Sequence, residues 1–80
     1  MHIAVEISLY PLSDGYLPAI RDFIARIAAR PGLQVATNAT STQVSGELSA
    51  VFPALQEEMA VTFGGGHRSV FVMKVLGGGG

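Results

Sequence analysis

From His2 to Tyr10 apolar and polar positions alternate: Ile3, Val5, Ile7 and Leu9 form one set, and Ala4, Glu6, Ser8 and Tyr10 the other. A period of two over this length predicts a strand with one face on a core. Pro11 ends it, and Ser13-Asp14-Gly15 reads as a turn able to cap a helix. From Tyr16 to Arg30 the period becomes helical. Leu17, Ile20, Phe23, Ile24, Ile27 and Ala28 share a face, and Arg21, Asp22, Arg26 and Arg30 share the other. Pro18 fits a first turn, where its missing N–H has no helical acceptor. Asp22 and Arg26 stand four apart in the favourable order, Arg30 suits a helix C-terminus, and Pro31-Gly32 stops the helix.

Leu33 to Asn38 and Thr42 to Glu47 read as two further strands, joined by the short, hydroxyl-rich Asn38-Ala39-Thr40-Ser41. Ser49 is the expected N-cap of a second helix reaching Phe63, with Pro53 in or near its first turn. Its apolar stripe is Leu48, Val51, Phe52, Leu55, Met59 and Phe63, with Gln56 and Glu57 on the wet side. Gly64-Gly65-Gly66 ends it, and Ser69 to Leu76 forms a last strand. Gly77 to Gly80 carry no packing atoms and read as a flexible tail behind a domain of residues 1–76. The order is β-α-β-β-α-β. Right-handed crossovers then place both helices on one face of a four-stranded antiparallel sheet, the α+β ferredoxin-like sandwich.

Composition sharpens this picture. Eighty residues allow one domain. With 49% hydrophobic and 14% charged residues the chain is core-forming, and so apolar a chain of this size is expected to close some surface against a partner subunit. The net charge is −1 and the five basic residues do not cluster, which argues against nucleic-acid or anionic-membrane binding. There is no cysteine, so disulfides, thiolate metal sites and cysteine nucleophiles are excluded. Glu6 interrupts any apolar signal-peptide core, and no apolar run approaches the roughly 20 residues that span a bilayer. The expected location is cytoplasmic.

Candidate chemistry is sparse. His2 and His67 are the only imidazoles, one at the terminus and one in a glycine loop, and both read as exposed. Glu57 and Glu58 are adjacent on a helix, do not face each other, and read as a solvated face. Gly64-Gly65-Gly66 follows a helix and lacks the Lys-Ser/Thr of a phosphate loop. No Ser-His-Asp set is spaced for catalysis, so the chain is expected not to be an enzyme and to need no metal or cofactor. An RNA-recognition module of this order needs aromatics on its central strands, and Thr42 to Glu47 has none. A metallochaperone needs a cysteine pair, and an acylphosphatase needs an Arg-bearing loop after the first strand; both are missing. A small-molecule-binding or regulatory module survives.

If the helices cover Ile3, Val5, Ile7 and Leu9, then Ala4, Glu6, Ser8 and Tyr10 face the uncovered side of the sheet, where subunit contact competes with a ligand role. Val5 to Leu12, Thr37 to Glu47 and Val70 to Val75, in this order and with these helix lengths between them, resemble the YkoF-like thiamine-binding family. The resemblance covers residues 2–76. It implies a domain that binds thiamine or its hydroxymethylpyrimidine moiety, tied in some members to thiamine-precursor transport, and it implies self-association of single-domain chains as dimers or tetramers through their sheets. The ligand residues it points to are Ser8 and Tyr10 on the first strand, and Asn38, Ser41 and Thr42 at the turn. Thr42 is carried over on the family's turn-and-strand motif. Glu6 would balance the thiazolium cation and Gln43 would address the pyrimidine edge. Whether Thr42 or Gln43 faces the helices is open at this point. The alternative is an ACT-like regulatory domain that binds an amino acid at a subunit interface, since it shares the element order.

Overall fold

The computed structural model describes residues 1–12, 16–66 and 68–78. Four strands and two helices follow in the expected order: β1 (His2–Pro11), α1 (Tyr16–Ala28), β2 (Gln34–Thr37), β3 (Thr42–Glu47), α2 (Leu48–Phe63) and β4 (Ser69–Gly77). The sheet runs β2-β3-β1-β4 with every neighbouring pair antiparallel. This is the ferredoxin-like arrangement. The expected turn at Ser13 to Gly15 and the residue His67 lie outside the described residues.

The alternation in β1 determines the layering. Ile3, Val5 and Ile7 are buried under the helices with Val44 of β3, Phe23 and Ile27 of α1, and Val51, Ala54 and Leu55 of α2. Leu9, Leu33, Val35, Phe71 and Met73 close the edges of this core. Phe71 packs between two rings, tilted against Phe23 at a centroid distance of 5.0 Å and edge-to-face with Phe63 at 5.4 Å. Gly46 sits opposite Ile3, where a Cβ would come within 3.0 Å of the Gly32 carbonyl oxygen; the turn after α1 packs against bare backbone there. Gly32 itself has φ +81°, the left-handed conformation that lets the chain turn into β2, four residues beyond the last residue of α1.

Several expectations need correcting. Leu48, not Ser49, opens α2; the residue before the helix is Glu47, which makes no capping bond, and the Leu48 N–H donates to the Met1 carbonyl at 2.8 Å. Pro53 therefore lies inside the helix and not in its first turn. The buried stripe of α2 is Val51, Ala54, Leu55 and Glu58, while Leu48, Phe52 and Phe63 stay largely exposed. Similarly, Leu17 and Ala28 at the ends of the predicted α1 stripe are exposed. Helix α1 stops at Ala28, two residues early, and β4 continues to Gly77, whose Cα pairs with Ile3.

Glu58 is the largest departure. Expected on a wet face, it is only 8% exposed and holds the two helices together. Arg26 Nε and Arg30 Nε donate to its two carboxylate oxygens, each at 2.8 Å. Arg26 also donates to Thr62 Oγ1 at 2.8 Å and pairs with Asp22, while Arg30 reaches Glu57. Burial pushes the Glu58 carboxyl up, but the guanidinium hydrogen bonds and charges of Arg30 and Arg26 outweigh it and hold the group below its ordinary value. Among the described residues no helix is long and apolar enough to cross a membrane.

Candidate functional site

The β1–β3 ladder ends at Ile7 and Thr42, whereas β1 runs on to Pro11 beside β4. Past this point the β2–β3 turn no longer pairs with β1, and a pocket of about 390 Å³ lies between the strand, the turn and α1. Its floor and wall are apolar, built by Ile7, Leu9, Ile20, Phe23 and Ile24. Its rim is polar, formed by Ser8, Tyr10 and the run Thr37 to Thr42. The volume and the lining match small-molecule sites, in which a few fixed polar groups orient an otherwise apolar ligand.

Asn38 organises the rim. Its side-chain oxygen accepts from the Thr40 and Ser41 N–H groups, both at 2.9 Å, and from Thr40 Oγ1 at 3.0 Å. Its own N–H donates to the Ser41 carbonyl at 3.0 Å. This is the local side-chain turn that asparagine favours. Ser8 Oγ ties the turn to β1 by donating to the Thr40 carbonyl at 3.3 Å. Thr42 is 6% exposed, points to the helix side, and has its hydroxyl 3.4 Å from that of Thr37.

The parity left open by the sequence is thereby decided. Thr42 shares the inner face with Val44 and Ile7, and Gln43 shares the outer face with Glu6 and Ala36. The predicted ligand residues consequently fall into two groups. Ser8, Tyr10, Asn38, Ser41 and Thr42 border one pocket. Glu6 and Gln43 lie on the open side of the sheet, where Glu6 stands between Gln43 and Lys74, with its carboxylate 4.0 Å from Lys74 Nζ. Sequence reasoning missed the helix contribution, Ile20, Phe23 and Ile24; those residues read only as core stripe, and nothing in their spacing marks the part of the stripe that the sheet fails to cover. No described residue lining the pocket carries a formal charge.

A second, more open cleft of about 570 Å³ lies at the opposite end of the sheet between Met1 to Ala4 and Leu76 to Gly78. It offers no side-chain hydroxyl or amide, so the β1–turn pocket is the better-furnished site.

Comparison with known proteins agrees with this architecture. The chain aligns over 95% of its length with a hypothetical protein from Methanocaldococcus jannascii, at 24% identity, TM-score 0.81 and 79% coverage of that chain. A candidate thiamine biosynthesis/salvage protein from Thermotoga maritima shares 22% identity and TM-score 0.82, over 94% of this chain and 82% of its own. A protein from Streptococcus pneumoniae gives TM-score 0.88 at 19% identity, over 98% of this chain and 88% of its own. At these identities the likeness is one of fold. No curated protein matches. The model of the YKOF-related family, however, matches residues 2–64, from the first strand through the end of α2 and including every residue that lines the pocket. The chain belongs to the YKOF-related family.

Proposed function

We propose that the chain binds thiamine or its hydroxymethylpyrimidine moiety in the pocket between β1, α1 and the β2–β3 turn. The observation that carries this reading is that the family match spans the whole pocket wall, residues 7–42. The Thermotoga maritima relative, a candidate thiamine biosynthesis/salvage protein, points the same way. The chemistry is compatible. A flat aminopyrimidine fits an apolar slot with a polar rim, and an uncharged lining favours placing the neutral pyrimidine inside with the thiazolium toward the mouth, near the Tyr10 ring.

The activity is capture without chemistry, and the same reading includes self-association through the open sheet face, where Tyr10, Val70, Val72 and Leu76 are exposed. Calorimetric titration with thiamine and with 4-amino-5-hydroxymethyl-2-methylpyrimidine tests the binding. Saturable heat with at least one of them is expected. Blank-level heat with both up to millimolar ligand would sink the reading, and recovery of a chemically altered pyrimidine would remove its non-enzymatic part.

A further inference from the structure

At Leu9 the backbone of β1 has run past the end of its ladder with β3. The Leu12 N–H donates to the Arg68 carbonyl at 2.9 Å on the β4 side, and the Met1 carbonyl accepts from Leu48 on the β3 side. Both registers are uninterrupted, so successive residues of β1 turn their N–H and C=O groups alternately to the two neighbours. Even-numbered residues face β4. Odd-numbered residues face β3, ending at Ile7 opposite Thr42.

The next odd residue is Leu9. Continuing the register would place Thr40 opposite it, but Thr40 forms no backbone bond with Leu9. The Thr40 N–H is committed to the Asn38 side chain and its carbonyl accepts from Ser8 Oγ. Among the described residues neither the β1–β3 ladder nor a turn bond engages the Leu9 backbone on this side. A donor and an acceptor of one extended residue therefore open side by side into the pocket. Backbone groups of this kind are almost always paired, with protein, water or ligand.

We propose that this Leu9 edge is the specificity element of the pocket, pairing with a flat heterocycle that presents a ring-nitrogen acceptor beside an exocyclic amino donor. The ligand takes the place of Thr40 in the ladder: the Leu9 N–H donates to the ring nitrogen and the Leu9 carbonyl accepts from the amino group. This is strand addition by a small molecule, with main-chain bonds fixing orientation and the apolar wall supplying contact. Ile20, Phe23 and Ile24 would then lie against one face of the ring. The inference rests on the proposed pyrimidine binding and assigns the atoms that select the ligand.

An 80-residue chain is within reach of total chemical synthesis, so the donor can be removed without touching a side chain. An ester replacing the amide at Leu9 should weaken binding of 4-amino-5-hydroxymethyl-2-methylpyrimidine about tenfold, the loss expected for one hydrogen bond of roughly 1.4 kcal/mol. It should lower the melting temperature of the unliganded chain less than an ester at Tyr10, whose N–H belongs to the β4 ladder. On the native chain, the analogue without the amino group should also bind about tenfold more weakly, through loss of the second bond. Equal affinity for the two pyrimidines, or an affinity unmoved by the Leu9 ester, overturns this assignment and leaves the pyrimidine reading standing. A native chain that binds neither pyrimidine overturns both.

Discussion

At the scale of single residues, the pocket separates side chains that hold the rim from those free to meet a ligand. The Asn38 carboxamide oxygen accepts three hydrogen bonds from its own turn, so its role is to shape the rim. Removing it should cost binding by loosening the turn. Tyr10 is different: it is 55% exposed, borders the pocket, and packs little against the core. Tyr10→Ala is therefore expected to weaken pyrimidine or thiamine binding several-fold while changing stability by less than about 1 kcal/mol, read by calorimetry and by thermal melting. Equal loss of both would make Tyr10 a structural residue. Glu6→Gln tests the division of the predicted site from the other side. Because Glu6 lies on the outer face beside Lys74, the substitution should leave the affinity for the uncharged pyrimidine within twofold. A tenfold loss would show that the two groups of residues act on one ligand.

At the scale of elements, the sequence revealed what depends on period and little of what depends on how elements meet. The alternation of β1 and the 3.6-residue stripe of α1 report local burial directly, and Ile3, Val5, Ile7, Phe23 and Ile27 are buried as their spacing requires. Glu58 was illegible because a charged residue normally reads as solvent-facing. Its partners, Arg26 and Arg30, are 32 and 28 residues away, on a helix whose approach only the fold decides. The pocket was half legible for a related reason. Hydroxyl and amide residues in a short turn mark its rim, but its depth comes from β1 outrunning β3, a difference between two strand ends. The helix contact yields its own prediction. The folded-state carboxyl of Glu58 titrates below its ordinary value of 4.5, so its contribution to stability is fully present above that value and is lost as pH falls through the folded one. Glu58→Gln should cost about 1–3 kcal/mol at pH 7, since it takes the charge from a largely buried, doubly hydrogen-bonded carboxylate. In paired thermal melts the gap between the two proteins should narrow as the pH falls below 4.5 and through the lower folded-state value. A gap that does not narrow with falling pH would mean that packing and not charge is what Glu58 contributes.

At the scale of the whole molecule, the helices cover one face of the sheet and nothing among the described residues covers the other. On that face the β1–β4 register brings Tyr10 beside Val70, Ser8 beside Val72 and Ala4 beside Leu76, with Glu6 and Lys74 as the charged pair among them. The result is an apolar strip along β4 in a chain only 80 residues long, which can close little of its own surface. A second copy of the chain is the economical cover, since a strip on a flat sheet can be self-complementary about a two-fold axis. Val72 lies near the middle of the strip and is half exposed, so a lysine there meets no core atom in the monomer and should shift its stability by about 0.5 kcal/mol or less. In an assembled pair the same lysine would be desolvated against apolar side chains, at a cost of several kcal/mol. Sedimentation velocity of Val72→Lys at micromolar concentration should thus show a monomer where the parent chain shows a dimer or tetramer. Because Tyr10 belongs both to the pocket border and to this strip, the monomeric variant should also bind its pyrimidine more weakly. If the parent chain is itself monomeric, or if Val72→Lys assembles as the parent does, the sheet face is not the interface, and its apolar strip is then solvent-exposed surface.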